Sequence, residues 1–150
     1  MDFNSILSTK VEEAEKPKPL PVGTYIWQIP LGQPKFDQSK EKQTPFVEWE
    51  IKPVAPLDDV DGQLLQQVKN WNEKSMRLTF WLTEEALYRF RDFLDKVGIP
   101  YKGRSWAEVI PEVAGKNFKA SVVHNTSIDK ATGATKGPYA NLDDSSFAAA

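Results

Sequence analysis

Apolar and polar residues alternate with a period of two in several stretches of this chain and recur with a helical period in one. Over residues 23–29, Tyr25, Trp27 and Ile29 fall on one face and Thr24, Ile26 and Gln28 on the other. Over 46–52, Val47, Trp49 and Ile51 alternate with Phe46, Glu48 and Glu50. Over 76–82, Met76, Leu78, Phe80 and Leu82 face inward, leaving Arg77, Thr79 and Trp81 outward. Residues 116–125 carry Phe118, Ala120 and Val122 on one side, and 138–142 add a shorter run. Each pattern predicts a strand with one buried face. Residues 83–97 read as a helix. Leu87, Phe90, Leu94 and Val97 share an arc widened by Ala86 and Phe93, with Arg89, Arg91, Asp92, Asp95 and Lys96 opposite. Thr83 caps its start, Glu84 and Glu85 complement the dipole, and Gly98 with Pro100 stops it.

The connections set the domain organisation. Residues 1–19 lack periodicity and end in Lys16, Pro17, Lys18 and Pro19, predicting a flexible, proline-stiffened arm. Residues 31–44 read as a loop, and Pro53 and Pro56 are expected to end the second strand. Asp58, Asp59 and Asp61 read as a solvated acidic loop. Leu64, Leu65, Val68 and Trp71 fit a short helix or an extra ribbon equally well. Residues 105–113 suggest a helical turn around Trp106, and 126–137 a loop. The expected domain is 20–142, followed by a flexible acidic tail, 143–150. Three strands, a helix and two strands is the order of an OB-fold. The expected fold class is therefore mainly β with one principal helix, an OB-fold-like five-stranded barrel with the helix between strands 3 and 4.

Composition narrows the function classes. The 150 residues hold no cysteine, which excludes disulfides, a thiol nucleophile and thiolate metal sites. No apolar run is long enough to cross a bilayer, and 1–16 carries Glu12, Glu13 and Glu15 without a hydrophobic core, unlike a signal peptide. A soluble cytoplasmic protein without a membrane partner is expected. Net charge is −2, which argues against coating nucleic acid by bulk electrostatics. The charge is unevenly spread. Residues 44–61 set Lys52 alone against five carboxylates, while 62–82 and 116–136 carry a basic surplus.

Catalytic chemistry finds little support, so no enzyme and no cofactor are expected. The one histidine, His124, falls within a strand without triad or metal partners. Gly133 to Gly137 lacks the spacing of a phosphate-binding loop, and the three aspartates lack the rest of a calcium loop.

Single-strand binders need flat aromatic faces and cations along the backbone path. Trp27, Trp49 and Trp106 are assigned to the core. The strand-3 pleat turns Trp81 outward with Arg77, and Trp71 sits among Lys69, Asn70, Asn72 and Lys74. Packing against the long connection is the competing reading for both tryptophans. OB-fold ligands cross strands 2 and 3, flanked by the loops joining strands 1–2 and 4–5. Those loops hold Lys35, Phe36, Lys40 and Lys42, then Lys130 and Lys136. With Lys119 on strand 4, these make up the candidate nucleic-acid-binding set. Glu48 and Glu50 on the same face count against it.

With these segments in place, the chain resembles small bacteriophage single-stranded DNA-binding proteins of the OB-fold type. The resemblance is carried by Leu20-Pro21-Val22-Gly23-Thr24-Tyr25 and Pro45-Phe46-Val47-Glu48-Trp49-Glu50-Ile51. It continues through Thr79-Phe80-Trp81-Leu82-Thr83, Leu94-Asp95-Lys96-Val97-Gly98-Ile99 and Tyr139-Ala140-Asn141-Leu142. It implies single-stranded DNA as partner, a role in phage replication or recombination, and contact with replication proteins through an acidic tail. A homo-oligomer is compatible with it. The competing readings are an OB-like protein-interaction or virion assembly module without nucleic acid, and an oligosaccharide binder.

Overall fold

The structure, a computed structural model, describes Leu7 and residues 18–150, the side chain of Lys136 excepted. The expected arm therefore lies almost wholly outside the described residues. Six strands form one antiparallel sheet: β1 (Gly23–Gln28), β2 (Lys35–Gln38), β3 (Pro45–Pro56), β4 (Met76–Trp81), β5 (Asn117–Ile128) and β6 (Thr135–Ala149). Within residues 18–150 the helices are α1 (Gly62–Gln66), α2 (Leu87–Val97) and α3 (Trp106–Val109), with 3₁₀ turns at Trp71–Glu73 and Ile110–Val113. Mainly β with one principal helix thus holds, but the sheet is open. Its order is β2-β3-β1-β5-β6, with β4 also on β3 and not paired with β6.

The long strand β3 joins the two halves. Its first half is hydrogen-bonded between β2 and β4, and its second half pairs with β1. The expectation that Pro53 and Pro56 end this strand is corrected. The ladder partners Tyr25 with Pro56, Ile26 with Ala55 and Trp27 with Pro53, so Val54 is an extra residue at a bulge. A bulge tolerates the missing proline N–H and bends the strand from one half to the other. Gly23, at φ 142°, lies where a Cβ would sit 2.5 Å from Val60, so the chain returning from β3 presses on β1.

The inward rows are those the alternation predicts. Tyr25, Trp27, Ile29, Val47, Ile51, Phe118, Ala120 and Val122 are all fully buried. Helix α2 closes this core. It begins four residues later than expected, after a turn in which the backbone oxygen of Thr83 accepts from Leu87 N at 2.9 Å and its Oγ1 from Ala86 N at 3.3 Å. Leu87 is consequently only half-buried, and Phe93 takes its place in the core with Phe90 and Leu94. Phe90 stacks on Phe80 with ring centroids 4.4 Å apart and meets Trp106 at 4.8 Å. Gly98, at φ 77°, ends the helix with Ile99 N donating to Leu94 O.

The flexible acidic tail is also corrected. Residues 143–149 continue β6 against β5, partnering Ser121 with Asp143 and Lys119 with Ala148. Phe147 is buried against Phe93 and Phe118 at 5.6 and 5.4 Å. Two aspartates do not outweigh the burial of one aromatic ring and a paired backbone. Among the described residues no helix is long and apolar enough to cross a membrane.

The polar residues near β1 hold the fold together. Asp59 accepts from Thr24 N at 2.8 Å and Thr24 Oγ1 at 2.7 Å, and these bonds hold its carboxyl below the ordinary carboxylate range. Asp61 caps α1 by accepting from Gln63 and Leu64 N–H. The ring of His124 reaches Leu20 O at 2.6 Å. Tyr25 donates its hydroxyl to Pro21 O at 2.8 Å, and burial, with Asp59 nearby, pushes its phenol up to about 12. Because this folded value exceeds the ordinary 10, the stability it supports is complete below pH 10 and is lost as pH rises toward 12. Melting followed across that window should show the loss, and Tyr25→Phe should flatten it while costing about 1 kcal/mol at neutral pH. An unchanged alkaline loss in Tyr25→Phe would assign it to other groups.

Candidate functional site

The outer face of β2, β3 and β4 follows from the ladder register, because residues opposite each other share a face. One row runs Asp37, Phe46, Trp81; the next Lys35, Glu48, Thr79; the third places Glu50 against Arg77. Trp81 is exposed at 43%, its ring edge-on to Phe46 with centroids 5.4 Å apart. Glu48 accepts from Thr79 Oγ1 at 2.8 Å. The middle of this face is therefore acidic or neutralised, and the aromatic surface lies at its Trp81 end.

At that end Trp81 borders two adjoining clefts. The first, about 640 Å³, lies between the turn joining β2 to β3 and the start of α2, with Lys40 and Lys42 on one side and Tyr88 and Arg89 on the other. The second, about 500 Å³, continues past Trp81, Tyr88 and Arg89 to Lys96 and to Asp144 on β6. Tyr88 is half-exposed, and Arg89 donates from Nε to its hydroxyl at 3.2 Å, with the guanidinium carbon 5.8 Å from the ring centroid. That bond raises the guanidinium's pKa above its ordinary value. Across the second cleft, desolvation pushes the Asp144 carboxyl up; Arg89 opposes the rise and Asp143 adds to it. Glu41, Glu85 and Asp92 also line these walls, so the clefts combine both signs of charge with two aromatic faces.

No protein-family model matches this chain, and no curated protein matches it either.

At the Trp81 clefts the structure brings together three of the twelve candidate residues, Lys40, Lys42 and Trp81, while Lys35 and Arg77 share a separate cleft with Glu48 and Glu50. Arg77 lies on the same face of β4, but four residues, or about 13 Å, along the strand and opposite Glu50. Lys35 sits 3.7 Å from Asp37 and across from Glu48. Phe36 points to the other face of β2, toward Ile110 and Pro111. Lys69, Trp71 and Lys74 lie in the connection before β4, where Trp71 packs against the core; none of them lines either cleft at Trp81. Lys119 is half-buried on β5 in a row with Ile26 and Ala148. Lys130 is exposed in the turn between β5 and β6, and Lys136 is placed across from Ser127, its side chain outside the described residues.

Sequence reasoning missed Tyr88 and Arg89. The readable signal was an aromatic residue just off the apolar arc of α2, beside a cation. Among the described residues no cluster of histidine, aspartate or glutamate is arranged to hold a metal ion.

Proposed function

We propose that this chain is a non-enzymatic single-stranded DNA-binding protein of the OB type, acting in phage DNA replication or recombination. The observation that carries the reading is the exposed Trp81, flanked by Phe46 and Tyr88 and bordered by Lys40, Lys42 and Arg89. A base stacked on such a face contributes about 1–3 kcal/mol whatever its identity, and three cations suffice to follow a short run of phosphates. The sheet order supports the fold assignment. Strands β4, β3, β1, β5 and β6 are consecutive neighbours, and residues of β4 and β6 line common clefts. Joining those two edges would close a five-stranded barrel with β2 added outside, and OB barrels are partly open. The phage setting rests on the sequence resemblance.

The test is tryptophan quenching on adding oligothymidine, repeated over a range of salt and against duplex of equal length. Single strands should bind more tightly than duplex, with log affinity falling against log salt with a slope of about −2 for three phosphate contacts. Failure to bind at low salt would favour the protein-interaction module, and salt-indifferent binding of glycans the oligosaccharide reading.

Within this reading the two arginines separate. Arg89→Ala should reduce the salt slope by about 0.7, the loss of one phosphate contact. Arg77→Ala should leave the slope nearly unchanged, because Arg77 faces Glu50 and lies outside the clefts at Trp81. The reverse ranking would move the DNA path down the β3–β4 face.

A further inference from the structure

Among the described residues the strand β2 has one unpaired edge and stands at the end of the sheet order. All four of its residues are exposed. The direction of its backbone groups follows from the ladder. Ser39 N donates to Thr44 O at 2.9 Å, and antiparallel alternation from that pair turns Asp37 and Lys35 toward β3. Phe36 and Gln38 therefore present their backbone groups to the open side. The Gln38 N–H is taken by Asp37 Oδ1 at 2.8 Å. What remains at the centre of the edge is the N–H and C=O of Phe36.

The Phe36 ring, 56% exposed, lies in a groove of about 640 Å³ whose other walls are mainly apolar, among them Pro34, Ala107, Ile110 and Pro111. Leu31, just before it in the chain, is 86% exposed. An unpaired edge beside an apolar groove is a site for strand addition.

We infer that this edge is a self-association surface, at which β2 of a second copy pairs antiparallel about a two-fold axis through Phe36. The sequence of the edge selects a second copy as the occupant. With Phe36 opposite its own counterpart, the two residues exchange both backbone hydrogen bonds, as a hydrogen-bonded pair of an antiparallel ladder does. Lys35 of each copy then stands opposite Asp37 of the other, so the edge is charge-complementary to itself. The two phenylalanine rings fall on the same face, against the two grooves. An isologous contact of this kind closes after two copies. The inference does not depend on the DNA reading, since β2 contributes no residue to the clefts at Trp81.

The experiment is sedimentation equilibrium of the full chain from low to high micromolar concentration. The average mass should rise from the 17.0 kDa of one chain toward twice that value. Asp37→Lys and Lys35→Asp each put like charges opposite one another twice, and each should weaken association about tenfold. The double reversal, Lys35→Asp with Asp37→Lys, should restore it, which also shows that the single variants lost pairing rather than folding. Phe36→Ser should weaken association with little change in melting. A wild-type chain that stays at single-chain mass throughout would overturn the inference. So would single reversals that associate as tightly as wild type, or a double reversal that does not recover.

Discussion

Phe147→Ala is expected to destabilise the protein by about 3–5 kcal/mol, the cost of emptying a buried aromatic site. At this chain length each kcal/mol moves the melting temperature by roughly 2–4 °C, so a fall of about 10 °C is expected. The ring sits with Phe93 and Phe118 in a mutual edge-to-face triangle, with centroids 5.1–5.6 Å apart. Neither of the other two rings can move into the space without disturbing its contact with its partner. Removing residues 143–150 should cost at least as much, because it also deletes the β6 partners of Phe118, Lys119 and Ser121 and the bond from Ser121 N to Ser146 Oγ at 2.7 Å. Asp144→Asn is the control: it removes a desolvated charge while leaving the packing alone, and should leave melting unchanged or slightly raised. A truncated protein that melts like the full chain would return 143–150 to the status of a dispensable tail.

Trp81→Ala should weaken single-stranded DNA binding by about 1–3 kcal/mol, roughly five- to 150-fold, and leave the protein folded. The ring is exposed and, among the described aromatic residues, meets only the edge of Phe46, so its loss empties no core site. A modest drop in melting is expected from that edge contact, about 0.5–1.5 kcal/mol. Trp81→Phe should recover part of the affinity, because a smaller ring still offers a stacking face. Melting and affinity measured on the same variant distinguish lost stacking from lost structure. Unchanged affinity in a folded Trp81→Ala protein would place the DNA elsewhere.

The residue pattern has different force around Trp81 and around Phe147. Around Trp81 the alternation of Leu78, Phe80 and Leu82 requires the outward turn, whatever the rest of the chain does. Around Phe147 no local pattern exists. The run Asp143-Asp144-Ser145-Ser146 has the composition of a tail, and only the partner strand β5 and the ring of Phe93 make it a strand.

Local periodicity by itself determined the inward rows of β1, β3, β4 and β5 and the position of α2, because each is encoded in consecutive side chains. It also turned Trp81 to the outer face of its strand, while the packing around that face decided that the ring stays exposed. Tertiary structure decided the rest. β2 holds a single apolar residue between Pro34 and the 39–44 turn, so it is a strand only because β3 offers it a hydrogen-bonded edge. β3 outruns Pro53 and Pro56 because a bulge against β1 absorbs a missing donor. The clefts at Trp81 join a turn near residue 40, a strand end near 80 and a helix face near 89, three segments whose meeting depends on long-range pairing. Arg77 and Arg89 look alike as cations in sequence. The register sets one against Glu50, and the helix turns the other into a cleft beside Tyr88 and Trp81. Side-chain periodicity is a short-range property of the chain, whereas the partner of a strand edge or a charge is chosen by residues far away in sequence.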